Sequence, residues 1–583
     1  INVDDWNDGN SVLKGHSQAI TPNIERFAKK GVTFSHAICA SPSCGPSRPA
    51  LFTGIAPSRS GNISNDNGKR PWRFYTGPET VTIPKLFSQN GWDSIGIAKN
   101  FHRGDAAEFD TYVPPFKTPK KLKKVGVRLK SASWDIADIP ASEMGDYKAA
   151  STAIKTIDSH KGPLFLSVGI YRPHVPWIVP QAYFDLYPPE TLQLSERRVE
   201  DLDDLPERLK LVAGFEAKFG KGYHEMLVEK GYDKQFARAY LASVTFADEQ
   251  VGRILDAWYA SPYAETGYVV LWSDHGYMLG EKNAWSKIKP WYDSSHSNFM
   301  VAGPGLPKGA VCGKAVSLLD LYPTLIELLN LPKPRQTLDG NSLVPLLKDP
   351  DAEWDRPVRM TSQMDGVFFE SILSNDFRMT RLATGETELY KLANDPHEFT
   401  NLAGNPKYAE VIEELEKHLS FSYPEIPADG WMEAEEIPAQ TSADYRLRGN
   451  CHYMLTDTEA SGERLVSALL LAGAGSYIEF IIDLPTAGTY HLEGTIAMSG
   501  TCSVFVDDVK NDAAQADAGY PMKRICTLKP SKKLTDVSMG VVHFKKPGLK
   551  IIRFVTKQKQ EVKLDRLRLL KVASASAPKK SGL

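Results

Sequence analysis

Short apolar runs alternate with amphipathic stretches over more than half of the chain. The apolar runs at residues 94–98, 164–169 and 268–272 have the length and composition of buried strands. Apolar residues at helical spacing occupy residues 22–30 and 239–258. Strands that alternate with helices over several hundred residues predict an α/β fold around a largely parallel sheet. We assign this domain to residues 1–347.

The spacing of the elements shortens at about residue 348. Strands are predicted at residues 367–375 and 377–384, and a helix is predicted at residues 407–419. This pattern indicates a small α+β subdomain at residues 348–428.

The last part of the chain is rich in strands. A Pro-Ala-Asp-Gly turn signal within residues 421–430 predicts a linker. Many short strands separated by turns follow and predict an antiparallel β-sandwich at residues 431–573. Residues 574–583 are small and basic, so we expect a disordered tail. The predicted strands of the sandwich are residues 476–484, 488–497, 502–507, 540–544, 550–556 and 562–570.

Composition narrows the class of protein. The 583 residues exceed what one hydrophobic core serves, so two or three domains are expected. Basic and acidic residues nearly cancel, 69 against 71, which indicates no nucleic-acid partner. Six cysteines do not make a disulfide framework. No apolar run reaches the ~18–20 residues of a membrane helix. The chain opens abruptly on what reads as a strand end, so we expect further residues before Ile1.

One segment carries a specific motif. It reads Cys44-Gly45-Pro46-Ser47-Arg48, followed by apolar residues and then Thr53-Gly54. The plain structural interpretation is a buried loop cysteine before a helix. The whole run, however, resembles the signature of the formylglycine-dependent sulfatases. This resemblance implies an alkaline-phosphatase-like α/β fold, with a large mixed sheet between helices. It also implies that a maturation enzyme oxidises Cys44 to formylglycine, whose hydrate attacks sulfur.

Acidic residues stand where predicted strands end, at the edge where such folds bind ligands. Asp4 and Asp5 follow the presumed first strand, and Asp274 and His275 follow the run at 268–272. A paired Asp by itself is more often a turn or a helix cap. Within the sulfatase resemblance these residues form a metal site, and their oxygens suit Ca²⁺ or Mg²⁺. The predicted metal ligands are Asp4, Asp5, Cys44, Asp274 and His275.

Basic residues follow the other strand ends. Lys99 and His102 come after the run at 94–98, and His174 comes after the run at 164–169. Lys287 follows Asp274 by thirteen positions. A lone histidine is usually structural, but a repeated placement at strand ends favours a shared site.

The resemblance implies a role for each of these side chains. Arg48 and Lys99 would steady the formylglycine, and His102 would accept its proton as sulfate leaves. His174 and Lys287 would bind the substrate sulfate and protonate the leaving alcohol. Cations suit this reaction, because preorganised charges stabilise the charge that develops in the transition state.

The motifs around the site are most similar to the branch that includes iduronate-2-sulfatase. They occupy residues 172–176, 273–281, 388–390 and 394–398. The chain departs from the family at Ser295-His296-Ser297-Asn298, where a β-branched residue and Pro are common. His296 is a candidate substrate contact, although a structural role is the stronger interpretation.

Two features bear on the substrate. The insertion at residues 114–133 contains no acid and would attract a polyanion such as a sulfated polysaccharide; the alternative is a solvated surface loop. The module that begins at Trp431 resembles carbohydrate-binding β-sandwiches. The resemblance lies in its first residues and in the turns at residues 487–490 and 547–548. The alternative is a β-sandwich with a structural role. The basic residues of the insertion are Lys117, Lys120, Lys121, Lys123, Lys124, Arg128 and Lys130.

These features together predict a sulfatase that hydrolyses sulfate monoesters on a sulfated carbohydrate. Two alternatives stay open: a phosphonate or phosphate ester hydrolase of the same superfamily, and a glycan-binding protein with an inactive site. The expected partners are the glycan and a formylglycine-generating enzyme, with no nucleic acid and no membrane. The resemblance implies a periplasmic or secreted location.

Overall fold

The α/β part of the protein alternates strands and helices as the sequence pattern predicts. The structure, a computed structural model, describes residues 1–571 except 64, 66–71, 78, 104–105, 120, 130–131, 215–221, 365–366, 421–430, 434–438, 442–451, 457–463, 471–475, 485, 509–521 and 557–559. The strands of the α/β part are β1 (Asn2–Val3), β2 (Val32–Ile38), β3 (Asp93–Ile97), β4 (Thr111–Val113), β5 (Trp134–Ala137), β6 (Leu164–Ile170), β7 (Trp177–Pro180), β8 (Val269–Ser273), β9 (Met278–Leu279), β10 (Trp285–Ser286), β11 (Phe299–Ala302) and β12 (Ala310–Ser317). Its helices are α1 (Pro22–Ala28), α2 (Cys44–Thr53), α3 (Pro57–Ser60), α4 (Arg73–Thr76), α5 (Ile83–Gln89), α6 (Gly145–Ser159), α7 (Gln181–Asp185), α8 (Glu207–Ala213), α9 (Tyr223–Glu229), α10 (Tyr232–Ala260), α11 (Tyr292–Ser295), α12 (Leu321–Leu329) and α13 (Val344–Lys348).

Eight of these strands form one central sheet, in the order β12-β2-β11-β8-β1-β6-β3-β4. β11 runs antiparallel to both of its neighbours, β2 and β8. The remaining neighbours in the sheet pair in parallel. The sheet is therefore largely parallel and, because of β11, mixed, which confirms the predicted fold class.

Helices cover both faces of the sheet. On one face α1, α6 and α10 share a hydrophobic core with Val3 of β1 and Val168 of β6. On the other face α2, α5 and α12 pack on a core that contains Phe34 of β2 and Trp272 of β8. Strands covered on both faces are near-continuous apolar runs, which is why the pattern of the sequence revealed them.

Helix α1 shows how the long helix α10 organises one face. Proline at the first position of α1 suits the helical φ angle and has no N–H to satisfy. The next two backbone N–H groups, of Asn23 and Ile24, donate to the carboxylate of Asp248 at 3.1 and 2.8 Å. Asp248 lies on α10, so this capping contact joins two helices that are distant in sequence.

A four-stranded antiparallel sheet with one helix forms the α+β subdomain. The helix packs on the sheet through Leu415, which contacts a cluster with Ile372, Met379 and Leu389. Glu388 accepts a hydrogen bond from the Trp291 indole N–H at 3.2 Å. The 388–390 motif thus supports the segment that follows Lys287. The elements are β13 (Val358–Met364), β14 (Val367–Leu373), β15 (Arg378–Leu382), β16 (Thr387–Tyr390) and α14 (Ala409–Glu416).

Two antiparallel sheets around one hydrophobic core form the C-terminal unit. One sheet has the order β19-β20-β27-β22-β25, with β17 against β27, and the other has the order β18-β21-β26-β23-β24. The strands are β17 (Trp431–Glu433), β18 (Ala439–Thr441), β19 (His452–Thr456), β20 (Arg464–Leu470), β21 (Ser476–Leu484), β22 (Gly488–Met498), β23 (Cys502–Asp508), β24 (Lys523–Leu528), β25 (Ser531–Phe544), β26 (Gly548–Thr556) and β27 (Gln560–Lys571).

The predicted linker at 421–430 and the predicted tail at 574–583 lie outside the described residues. The domain boundaries therefore stay predictions. Within the described part of the chain, no helix combines the length and hydrophobicity needed to cross a bilayer.

Candidate active site

The predicted site residues follow strands that are neighbours in the sheet. β8, β1, β6 and β3 lie side by side and parallel, so their carboxyl ends meet at one edge. Cys44 reaches the same edge as the first residue of α2, after β2. Along this edge stand Asp274 and His275 after β8, Asp4 and Asp5 after β1, His174 after β6 and Lys99 and His102 after β3.

The thiol of Cys44 lies at the centre of the cluster and is almost fully buried, with 1 % of the residue exposed. Its Sγ lies 3.1 Å from Nζ of Lys287 and 3.5 Å from Nε2 of His275. His102 and His174 act on this thiol as well, since hydrogen bonding to them lowers its pKa. Four of the predicted side chains therefore surround the cysteine.

The cations around Cys44 govern its ionisation. Burial alone raises the pKa of the thiol, but Lys287 and Lys99, together with His102 and His174, outweigh burial, so the pKa of Cys44 lies well below its ordinary value. A thiolate is far more reactive than a thiol and is also the form that binds metals. Cys44 is thus chemically distinct from Cys39, whose pKa burial raises.

Carboxylates and an imidazole crowd against Cys44. Ligand atoms of Asp4, Cys44, Asp274 and His275 all lie within 4.8 Å of one another, as do those of the overlapping set Asp5, Cys44 and His174. Nε2 of His275 lies 3.3 Å from Oδ1 of Asp5 and 3.6 Å from Oδ2 of Asp274. Oδ2 of Asp5 is buried and accepts no hydrogen bond.

This donor set fits a hard divalent cation. Oxygen ligands dominate it, and a buried carboxylate oxygen without a hydrogen bond is costly unless a cation contacts it. Burial would lower the pKa of His275, yet the neighbouring Asp274 raises it to about 9, which reflects the negative charge gathered there. Burial raises the pKa of Asp274 to about 6, although the neighbouring Arg48 lowers it. A divalent ion would relieve this crowding.

Arg48 connects the carboxylates to one another. Its Nε donates to Oδ2 of Asp274 at 2.8 Å, and its Nη2 donates to Oδ1 of Asp4 at 3.1 Å. Nη1 donates to Oδ1 of Asn2 at 2.6 Å and to the carbonyl oxygen of Asn100 at 2.9 Å. All four acceptors come from other elements, so Arg48 positions the candidate metal ligands that follow β1 and β8.

Lys99 pairs with Oδ2 of Asp4. Lys99 and His174 outweigh burial and hold the pKa of Asp4 below its ordinary value. The backbone of Lys99 passes directly over Gly169 of β6, where a Cβ would lie only 1.9 Å from the Lys99 carbonyl oxygen. Glycine at 169 is therefore required for Lys99 to reach the site.

Lys287 and Asp5 form a second pair. Nζ of Lys287 donates to Oδ1 of Asp5 at 2.7 Å as well as to the Cys44 thiol. The backbone N–H of Asp5 donates to Oδ1 of Asp274 at 3.0 Å, and the carbonyl oxygen of Asp5 accepts from Tyr240 at 2.9 Å. Asp5 has a positive φ of 60°, and these contacts hold it there.

Two histidines lie at the more open side of the cluster. His174 is partly exposed, and its Nε2 lies 3.9 Å from Oδ2 of Asp5. Nδ1 of His174 is bonded to the carbonyl oxygen of Val175 at 2.5 Å, which leaves Nε2 directed to the cluster. His102 is exposed. Both can reach a ligand that enters from solvent.

His296 is placed differently from the other predicted residues. Its Nε2 is bonded to the carbonyl oxygen of Ser35 at 2.9 Å, and its Nδ1 lies 3.4 Å from Asp8. It stacks on Tyr292 at 4.5 Å between ring centroids and lines a separate cavity of about 360 Å³. The structure does not group His296 with the metal-ligand clusters of the described residues. These contacts are those of a structural residue that packs beside β2.

Several neutral side chains of the site carried no signal in the sequence. Asn2 bridges Arg48 and Asn100, to whose Oδ1 its Nδ2 donates at 3.0 Å. Tyr240 donates to Asp5 from the middle of α10. An asparagine on an apolar strand and a tyrosine on a buried helix face look like ordinary core positions until the fold is known.

Comparison with known proteins identifies the family. The profile "Sulfatase" matches residues 1–331, and "N-sulphoglucosamine sulphohydrolase, C-terminal" matches residues 280–423. The chain belongs to the sulfatase family, and it is a sulfuric ester hydrolase, as the motif at Cys44 predicts.

Individual relatives agree with this assignment. A "Sulfatase" of Formosa agariphila is 34% identical over 435 residues, covering 71% of this chain and 84% of the relative. Iduronate 2-sulfatase of Mus musculus is 26% identical over 369 residues, covering 54% and 65%. An "Ulvan-active sulfatase" of Formosa agariphila is 25% identical over 446 residues, covering 73% and 80%. Iduronate 2-sulfatase is thus among the relatives, as the motifs predict.

Solved structures show the same fold at lower identity. A phosphonate monoester hydrolase of Agrobacterium radiobacter has a TM-score of 0.60 at 19% identity, covering 73% of this chain and 98% of that chain. A 2-O GAG sulfatase has a TM-score of 0.57 at 21% identity, covering 71% and 89%. At these identities the likeness concerns the fold alone.

Proposed function

We propose that this sulfatase removes sulfate from a sulfated polysaccharide or oligosaccharide, with a formylglycine derived from Cys44 as its nucleophile. Two relatives and one solved structure carry names that refer to carbohydrates, namely iduronate, ulvan and GAG. The basic insertion at residues 114–133 favours the same substrate class, because it would attract a polyanion.

One observation carries the proposal. The Sγ of Cys44 lies between the cation of Lys287, at 3.1 Å, and the imidazole of His275, at 3.5 Å, inside a cluster of carboxylates. A merely structural cysteine would be surrounded by apolar groups. In the formylglycine-dependent family that the motif resembles, oxidation of this cysteine supplies a hydrated aldehyde whose oxygen attacks sulfur.

The metal in this proposal is Ca²⁺, with Mg²⁺ as the other candidate. Asp4, Asp5, Asp274 and His275 would hold it, together with the modified Cys44, and their oxygen-rich set suits both ions. A divalent ion supplies Lewis-acid stabilisation to a sulfate oxygen. With residue 44 as a neutral formylglycine and His275 as a neutral ligand, the three carboxylates balance the three cations Arg48, Lys99 and Lys287. A bound divalent ion would then leave the net positive charge that suits an anionic ester.

The side chains of the cluster provide the remaining functions, namely charge stabilisation, positioning and proton transfer. Lys99 and Lys287 are held within the cluster by Asp4 and Asp5 and present fixed positive charge to a bound sulfate. Arg48 positions the carboxylates and stabilises the nucleophile. His102 accepts the proton that the nucleophile must lose when sulfate departs, because it is close enough to residue 44 to lower the pKa of the thiol.

His174 is the proposed proton donor to the leaving alcohol. It is partly exposed and lies beside Asp5 at 3.9 Å, on the side from which a substrate enters. A positioned proton donor accelerates such a reaction by about 10²–10⁴-fold. Lys287 shares the contact with the sulfate.

The proposal extends to two further expectations. A formylglycine-generating enzyme is needed as a partner, since nothing in the cluster oxidises Cys44. A sulfated polymer does not cross a bilayer unaided, so a periplasmic or secreted location suits the substrate.

Mass spectrometry of the peptide around Cys44 tests the proposal. Trypsin leaves residues 31–59 as one peptide, because Arg48 precedes a proline. In a host that matures sulfatases, we expect oxygen in place of the Cys44 sulfur in this peptide, together with hydrolysis of an aryl sulfate. An unmodified cysteine in that host, with no turnover, would contradict the proposed nucleophile.

A second measurement separates sulfate from phosphate chemistry. We expect kcat/KM to be larger for a sulfate ester than for the phosphate ester of the same alcohol. The reverse order would favour a phosphate or phosphonate ester hydrolase, whose fold this chain shares.

A further inference from the structure

The basic insertion is tied to the segment that carries His174. β5, which follows the insertion, pairs in parallel with β7 and sets Trp134 opposite Trp177. The backbone N–H of Trp177 donates to the carbonyl oxygen of Ser133, the last residue of the insertion, at 2.7 Å. Since Trp177 is three residues after His174, the insertion ends beside the segment that carries His174.

The middle of the insertion runs antiparallel along the outer side of β5. Two bridges fix this register, Leu122 opposite Ala137 and Arg128 opposite Ser133. Ser133 and Ala137 are four residues apart, which at about 3.3 Å per residue spans about 13 Å. Three backbone hydrogen bonds close the pairing, from Lys123 to Ile136, from Asp138 to Lys121 and from Trp134 to Val127.

This outer segment presents a row of cations, which we call the basic strip. Arg128 lies at the end of the segment that is nearest the start of β7 and His174. The lysines follow toward the carboxyl end of β5. Lys117 is also exposed, while Lys120 and Lys130 lie outside the described residues. The exposed cations that define the basic strip are Lys121, Lys123, Lys124 and Arg128.

Among the described residues, the one ion pair of the strip joins Arg128 to Asp135. Asp135 is buried, and its Oδ1 accepts the backbone N–H groups of Val125 and Ile136 at 3.2 and 2.8 Å. Arg128 lies 3.9 Å from Asp135 with 69% of its side chain exposed, a contact that contributes little. The positive charge of the strip therefore remains available to a partner.

We propose that the basic strip binds the polyanionic chain of a sulfated polysaccharide and leads it toward His174. This inference rests on the proposed function and deepens it to a polymeric substrate. A small sulfate ester is shorter than the strip and uses at most one of its cations. A polymer with repeated sulfates contacts several at once, and long-range attraction raises its rate of encounter.

Charge reversal tests the strip. The test variant combines Lys121→Glu, Lys123→Glu, Lys124→Glu and Arg128→Glu in the full chain. The matched control reverses four exposed lysines elsewhere in the α/β part, with Lys161→Glu, Lys308→Glu, Lys333→Glu and Lys348→Glu. Two readouts are compared for both: the affinity for dextran sulfate and kcat/KM for p-nitrophenyl sulfate.

We expect the test variant to bind dextran sulfate about tenfold or more weakly at about 0.1 M salt, with the difference shrinking as salt rises. Its kcat/KM for p-nitrophenyl sulfate should stay within about twofold of wild type, which also shows that it folds. Equal losses of dextran sulfate affinity in the test and control variants, or no loss in either, would overturn the proposal that the basic strip binds the polymer. A wild-type protein that binds dextran sulfate through the strip but hydrolyses no sulfate ester would overturn the proposed function instead.

Discussion

The Nε of Arg48 donates to Oδ2 of Asp274 over 2.8 Å, and both side chains are fully excluded from solvent. The same guanidinium reaches Asp4, so one cation joins carboxylates that follow two neighbouring strands. A planar fork with several donors can do this, whereas the single ammonium of lysine cannot.

Arg48→Lys should therefore damage the site even though it conserves charge. We expect kcat/KM for an aryl sulfate to fall about 100-fold, since small displacements of reacting groups have effects of that size. We also expect the free energy of unfolding to fall by about 3 kcal/mol, because a buried pair loses its geometry. Arg26→Lys is the control: Arg26 pairs with Asp256 at the same 2.8 Å, but both side chains are more than half exposed. Equal effects of the two substitutions on activity would refute the positioning role.

Gly169→Ala should displace Lys99 from the cluster. A methyl group there would meet the Lys99 carbonyl oxygen at 1.9 Å, so the backbone that carries Lys99 and Asn100 must move. We expect kcat to fall by about 100-fold or more, with a smaller change in KM. Gly313→Ala, where an added Cβ meets nothing within 4 Å, should leave both constants near wild type. Full activity of the Gly169 variant would show that the Lys99 backbone is free to adjust.

Removal of metal should lower stability as well as activity. Saturation with a divalent ion at about 100 times its Kd adds about 2.7 kcal/mol to the folded state. We therefore expect Ca²⁺ to raise the Tm of chelator-treated protein by several degrees. Asp5→Asn should abolish this rise, because the unpartnered Oδ2 of Asp5 is a proposed ligand. Asp256→Asn, at an exposed pair, should retain it. A Tm independent of Ca²⁺ and of Mg²⁺ in the wild type would count against the metal site.

His174→Ala should discriminate between leaving groups. A proton donor matters most when the departing alcohol is a poor leaving group. We expect kcat/KM to fall by about 10²–10⁴-fold for an alkyl or sugar sulfate and by much less for p-nitrophenyl sulfate. Uniform losses on both substrates would indicate that His174 binds the sulfate and does not protonate the alcohol.

Deletion of residues 431–583 should reveal what the C-terminal sheets do. These sheets have their own hydrophobic core and share a small apolar cluster, Ala383 with Met522 and Ile551, with the α+β subdomain. Because that cluster is small, we expect the α/β part to fold without them. If they bind glycan, retention on an immobilised sulfated polysaccharide should drop while turnover of p-nitrophenyl sulfate persists. Unchanged retention would indicate that the C-terminal sheets have a structural role, which is the alternative that the sequence left open.

Local sequence signals were strongest where a strand ends in charged residues. Asp4, Asp5, Asp274 and His275 could be placed because apolar runs lead directly into them, and parallel strands bring such ends together. The run from Cys44 to Thr53 forms the whole of helix α2, and Gly54 caps the C-terminal end of this helix.

Long-range relationships could not be read in the same way. β11 is as apolar as the parallel strands of the sheet, so nothing in Phe299–Ala302 indicates its antiparallel direction. Arg48 was expected beside the nucleophile, but its partners Asn2 and Asn100 lie on segments whose approach depends on the whole sheet. His296 follows a similar pattern to the site histidines along the chain, yet it faces Ser35 and Asp8.

The burial of Cys44 constrains the order of events during biosynthesis. With 1 % of the residue exposed, the side chain is closed off beneath Lys287 and His275 once α2 has docked. If Cys44 is oxidised as proposed, the oxidising enzyme would have to meet this stretch of chain while it is still unfolded. A molecule that folds first would keep its thiol, so the active fraction of a preparation would be decided by the relative rates of folding and oxidation.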